Sequence, residues 1–220
     1  MPSAKTYAWK DPKPLTMVII VLMAFDISWV LSELLMTLIW GGRVNVRVAA
    51  PGAMTTLQIV RMVHSLLAFV VLAGLIVRVF WILRVSRNAH VLRGRPLANS
   101  PLFAALWWYL IPFMSLFKPL EAMGEIWDVS AIDAQRRKRH HVALIGWWIA
   151  VIASGVLTYA SFFSHQYLPI VIVEYFASTI GYGLFAYIAW RVCDMQVEKR
   201  TVGAFSDVEA PLSVLQRLNG

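Results

Sequence analysis

The chain has one cysteine, Cys193, in 220 residues, so no internal disulfide can form. Near the end of an apolar run it reads as a small apolar residue. Charge is scarce: 15% of residues are Asp, Glu, Lys or Arg, against ~25% in a soluble domain. Acidic residues are scarcer still, 12 against 20 Lys and Arg. No G-x-S-x-G elbow and no phosphate-cradling G-x-x-x-x-G-K-[ST] loop occurs, so the usual signatures of acyl and phosphoryl transfer are missing. Histidines number five, and only His64 falls well inside an apolar run. A transmembrane haem held by two facing histidines is therefore not expected, nor is any other cofactor. No cleavage site follows the first apolar run, which is also too long for a signal peptide, so it reads as a retained span.

Apolar residues make up 59% of the chain, and several runs exceed the ~18 residues that mark a transmembrane helix. The expectation is an all-α integral membrane helical bundle, a single membrane domain over 1–220. Its four transmembrane helices should lie at about 15–40, 57–83, 142–163 and 168–192. A re-entrant or interfacial helical hairpin over 102–129 should separate spans two and three, with a cytoplasmic tail at 194–220. Leu102 to Phe117 is almost wholly apolar, but sixteen residues at ~1.5 Å rise reach only ~24 Å of a ~30 Å hydrocarbon core. Pro112 removes a backbone donor inside it. After Lys118-Pro119, the residues Leu120, Met123, Ile126 and Trp127 share one helical face opposite Glu121, Glu125 and Asp128, a pattern suited to an interface. Ser130 followed by Asp133 resembles a helix start. Trp81 suits the headgroup level.

Counting Lys and Arg sets the expected orientation. With the hairpin returning to its own side, one face holds sixteen and the other three; with it spanning, the better arrangement is twelve against seven. The positive-inside rule favours the first. Both termini are then cytoplasmic. Beside spans, runs such as Arg136–Arg139 read as contacts to anionic lipid headgroups rather than to nucleic acid, which is not an expected partner.

Two groups of residues are candidates for chemistry. The first is intramembrane: Asp26, Glu33, His64, Arg78 and Glu174. Carboxyl groups in lipid are costly and turn toward the bundle or water. Glu33, His64 and Glu174 share a depth from which they could hold a cation or relay protons; the plainer reading is that Glu33 pairs with Arg61 and Glu174 is protonated or hydrogen-bonded. The second group flanks the hairpin: Arg87, Asn88, Lys118 and Glu125. They form either a polar site for a headgroup or partner, or the caps that satisfy a broken helix. The small residues Gly146, Ala150 and Ser154, and the pair Ala177 and Gly181, are candidates for close helix contact.

The pattern Arg84-x-x-Arg87-Asn88-Ala89, Ser100-Pro101, Trp107-Trp108, Pro112, Lys118-Pro119, Met123, Glu125-Ile126-Trp127 and Ser130 resembles the bacterial domain-of-unknown-function 4328 family. Gln196 and Arg200 are similar to that family's C-terminal edge. The resemblance spans about His64 to Arg200, with departures at Ser115 and Phe117. It implies a multi-span bacterial membrane protein and no reaction. The functional expectation is an accessory or scaffold subunit of a membrane complex with protein partners. The alternatives are a small transporter or ion- or proton-conducting protein, and a lipid-modifying membrane enzyme.

Overall fold

A computed structural model describes residues 7–94, 96–111, 113–132, 141–163 and 168–218, apart from 41–55. The regular elements among the described residues are all helical: α1 Lys13–Trp40, α2 Thr56–Arg93, a π-helical turn Phe103–Trp107 leading into the short α3 Trp108–Leu110, a 3-10 turn Met114–Leu116, α4 Lys118–Ser130, α5 His141–Phe163 and α6 Leu168–Leu218. Among the described residues, four helices are long and apolar enough to cross a membrane, over Lys13–Ile39, Phe69–Arg93, Val142–Ser161 and Leu168–Val202.

The helix ends follow local chemistry. At the start of α1, Asp11 Oδ1 accepts the Lys13 N–H at 3.0 Å, and Pro14 sits in the first turn, where a missing N–H costs nothing. The second span was expected to end near Leu83, yet α2 continues to Arg93. Beyond Leu83 no proline or glycine occurs until Gly94, which adopts φ +68° and donates its N–H to Val91 O at 3.2 Å. Glycine takes that left-handed conformation without a Cβ penalty and ends helices for this reason. Likewise α6 passes its expected end at Val192, because the polar stretch that follows is still helix-competent. Ser130 closes α4 instead of opening a helix: its hydroxyl donates to Ile126 O at 2.7 Å. Asp133 and Pro112 lie outside the described residues. Between α3 and the 3-10 turn Phe113 takes φ 61° and is 82% exposed.

The chain forms two compact units. The first comprises Met1–Thr16, Phe80–Leu144 and Ile188–Gly220; the second comprises Met17–Val79 and Ile145–Tyr187. In the first unit the core is built from Trp81, Val85 and Ala89 of α2, Met123, Ile126 and Trp127 of α4, and Ile188, Val192 and Met195 of α6, all buried. The apolar face of α4 is thus covered by protein, whereas the pattern alone suggested an interfacial helix. Trp81 is also interior: it is fully buried, and its indole N–H donates to Thr16 Oγ1 at 2.9 Å. In the second unit α5 meets α6 through small residues. A Cβ placed on Gly181 would sit 3.6 Å from the Ala150 Cβ, and one on Gly146 3.3 Å from Leu184 Cδ1. Trp147 and Phe185 stack nearby at 5.5 Å.

Candidate functional site

The first unit is organised around two buried amides. Asn88, 1% exposed, and Gln196, fully buried, cannot go into an apolar core without partners, because an unmatched amide costs several kcal/mol. Every hydrogen-bonding group of both side chains is used. Asn88 grips the backbone of Lys10, accepting its N–H on Oδ1 at 3.1 Å and donating Nδ2 to its carbonyl at 2.8 Å. The second Nδ2 hydrogen goes to Gln196 Oε1 at 3.3 Å. Gln196 then donates Nε2 to Val85 O at 2.9 Å and to Ser130 Oγ at 3.2 Å. The reverse orientation of Gln196 would set its oxygen against the Val85 carbonyl, so the amide direction is determined by its neighbours. One cluster therefore ties the N-terminal segment, the end of α2, the end of α4 and α6.

Glu125 makes a second knot. Its carboxylate accepts the N–H of Ala98 at 2.7 Å on Oε1, and the N–H of Asn99 at 3.0 Å and Asn99 Nδ2 at 3.1 Å on Oε2. Arg93 approaches Oε1 at 3.2 Å. Burial by itself pushes this carboxyl up. The hydrogen bonds from Ala98 and Asn99, with the Arg93 charge, outweigh burial and hold it below its ordinary value. The end of α4 is closed by Lys199 of α6, whose ammonium donates to Val129 O at 2.6 Å. Cations at a helix C-terminus satisfy its orphan carbonyls.

Of the expected hairpin group, Asn88 and Glu125 thus sit in separate structural knots. Lys118 pairs with Glu121 one turn along α4, at 2.6 Å, and Arg87 is exposed; the four do not converge on one point. Gln196 and Ser130 were not among the candidate residues although they complete the central cluster. The only sequence signal for Gln196 was the family resemblance. A polar residue just past an apolar run looks solvent-exposed until the partner helix is known.

The intramembrane candidates separate in the same way. In the second unit Asp26, 2% exposed, forms an ion pair with Arg78, whose guanidinium also lies 5.2 Å above the Tyr182 ring. Gly74 lies beside the pair, and a Cβ there would meet both side chains at 4.0 Å, an ordinary contact distance. Glu174 is held by two hydroxyls of α5, Thr158 Oγ1 at 2.7 Å and Ser161 Oγ at 3.3 Å. Both Glu33 and Glu174 lie near Tyr175, which hydrogen-bonds Thr37. The side chains of His64 and Arg61 lie outside the described residues. Among the described residues, no three His, Cys, Asp or Glu side chains are grouped so as to hold a metal ion.

A family model described as domain of unknown function (DUF4328) matches residues 44–193. That interval takes in Arg84 to Ser130, which carry the resemblance, and stops short of Gln196 and Arg200. No curated protein and no solved structure matches the chain.

Proposed function

The chain belongs to the DUF4328 family, and from that premise we propose that it is a four-span integral membrane protein acting as an accessory or scaffold subunit, with a rigid cytoplasmic platform made from its N-terminal, central and C-terminal segments. The observation that carries this reading is the hydrogen-bonded chain Lys10–Asn88–Gln196–Ser130. These four residues are separated from one another by the span-forming helices and by the 102–117 hairpin. If the hairpin crossed the bilayer, Asn88 and Ser130 would be on opposite sides, and Gln196 could not bond both. A hairpin that dips in and returns is compatible with all three contacts, and it agrees with sixteen positive charges on one face against three. The exposed side chains of Leu110, Phe113 and Phe117 are suited to acyl chains.

A platform of this kind presents a fixed surface and has its polar interior already matched, as a docking subunit requires. The test is affinity purification of the full chain in a mild detergent with quantification of what accompanies it. A stoichiometric protein partner is expected; a chain isolated alone at every detergent strength overturns the scaffold reading. The transporter reading draws on the Asp26–Arg78 pair, since charged residues within spans mark ion paths in many carriers. Its test is flux in proteoliposomes, abolished by Asp26→Asn if the pair lies on a path.

A further inference from the structure

We propose that Lys10, Lys13, Arg84 and Arg87 form a binding site for the phosphodiester headgroup of an anionic glycerophospholipid. The inference rests on the four-span reading above, and adds to it a ligand class and a location.

The helices α1 and α2 run side by side in a register set by side-chain bonds. Trp81 bonds Thr16 at 2.9 Å, Arg84 Nη1 donates to Asp11 O at 3.3 Å, and Asn88 grips Lys10. Moving outward along α2 therefore means moving backward along α1 and the segment before it. On both helices the exposed surface changes character within one turn at the same level. On α1, Met17 is 62% exposed and Lys13, four residues earlier, is exposed and cationic. On α2, Phe80 is 59% exposed and Arg84 follows four residues later, then the exposed Arg87. An apolar surface giving way to a cationic one at matched height is the profile of the hydrocarbon-to-headgroup boundary.

The cations are also preorganised. The backbone of Lys10 is clamped by the buried Asn88 and the Asp11 carbonyl that follows it is held by Arg84, so little chain entropy is lost when Lys10 and Lys13 engage a ligand. Arg84 spends one N–H on Asp11 O and retains others for a phosphate, and guanidinium matches the geometry of phosphate oxygens. The opposing charge is Asp11, whose Oδ1 is engaged by the Lys13 N–H at 3.0 Å. His90 is turned to Tyr7 and Ser86 O, and Arg191 pairs with Asp194 at 3.1 Å. The patch thus has four cations against one carboxylate, at the edge of an apolar belt.

The experiment is native mass spectrometry of the full chain released from mixed phosphatidylcholine–phosphatidylglycerol vesicles. Wild type should retain phosphatidylglycerol selectively. Lys13→Gln/Arg84→Gln/Arg87→Gln should weaken that retention by roughly fivefold per cation removed. A control at cations away from the patch, Lys118→Gln/Arg200→Gln, should change it much less per charge removed. Equal loss per charge in both variants would mean a diffuse field and overturn the proposal, as would unchanged retention in the first. Displacement of the lipid by millimolar inorganic phosphate would make it a soluble-anion site and overturn it too. Should the first variant fail to fold, Arg87→Glu, at an exposed position, must by itself reduce retention at least fivefold. None of these outcomes bears on sidedness, which cysteine labelling decides separately.

Discussion

At the residue scale, Glu125 is the clearest case of one side chain holding a segment in place. It accepts two backbone N–H groups and a side-chain amide from Ala98 and Asn99. Removing it leaves those donors without their acceptor, so Glu125→Ala should destabilise the protein by about 1–3 kcal/mol per buried donor left unmatched, read from thermal unfolding in detergent. Its titration gives a sign as well. The folded-state value lies below the ordinary 4.5, so the unfolded chain binds this proton more readily. Its contribution is complete above pH 4.5 and is lost as pH falls through the lowered folded value. Glu125→Gln should flatten the acid limb of the stability profile, and an acid limb identical to wild type would refute the assignment. Asp26 and Arg78 obey a different rule. Breaking a buried pair by removing one partner typically costs about 3–5 kcal/mol, while replacing both with apolar residues is often neutral. Asp26→Leu and Arg78→Met should each be poorly stable, and the double variant more stable than either. If the double variant is no better than the worse single variant, the pair is required for more than charge balance.

At the element scale, α5 and α6 touch where their side chains are smallest. Ala150 is buried and faces Gly181, so Ala150→Leu should cost about 1–3 kcal/mol through overpacking. Gly181→Ala should be tolerated, its Cβ meeting neighbours only at ordinary contact distance. Melting temperatures of the two variants check both outcomes, and equal melting would mean that α5 and α6 do not pack through this surface. The small-residue spacing made this contact legible in the sequence, as did the four apolar runs. What was not legible has a common cause. The periodicity of α4 identified its apolar face through Met123, Ile126 and Trp127, but not whether lipid or protein covers that face. Trp81 fits a headgroup belt or a core equally well, and Thr16, 65 residues away, decides between them. The extra turns of α2 and α6 were hidden because apolar runs report where lipid could lie, while backbone hydrogen bonding continues until a breaker such as Gly94. Asn88 and Glu125 stood out in the sequence as polar residues, yet their assignment to separate knots depends on Gln196 and on Ala98–Asn99, which no local pattern links to them.

At the scale of the whole molecule, the hydrogen-bonded chain from Lys10 to Ser130 makes a test of sidedness direct. Cysteines placed at Ala8, Pro96 and Val202, all exposed, in a Cys193→Ala background should react with a membrane-impermeant maleimide from the same face of inverted vesicles. Labelling of Pro96 and Val202 from opposite faces would sink the four-span arrangement. The position of Gln196 in the sequence has a consequence for biosynthesis. It lies 108 residues after Asn88, which at ~5–20 residues per second means a wait of ~5–20 s between their emergence from the ribosome. During that interval Asn88, the Val85 carbonyl and Ser130 lack the partner that closes the core. Nascent chains halted before Gln196 would be left with an open polar interior.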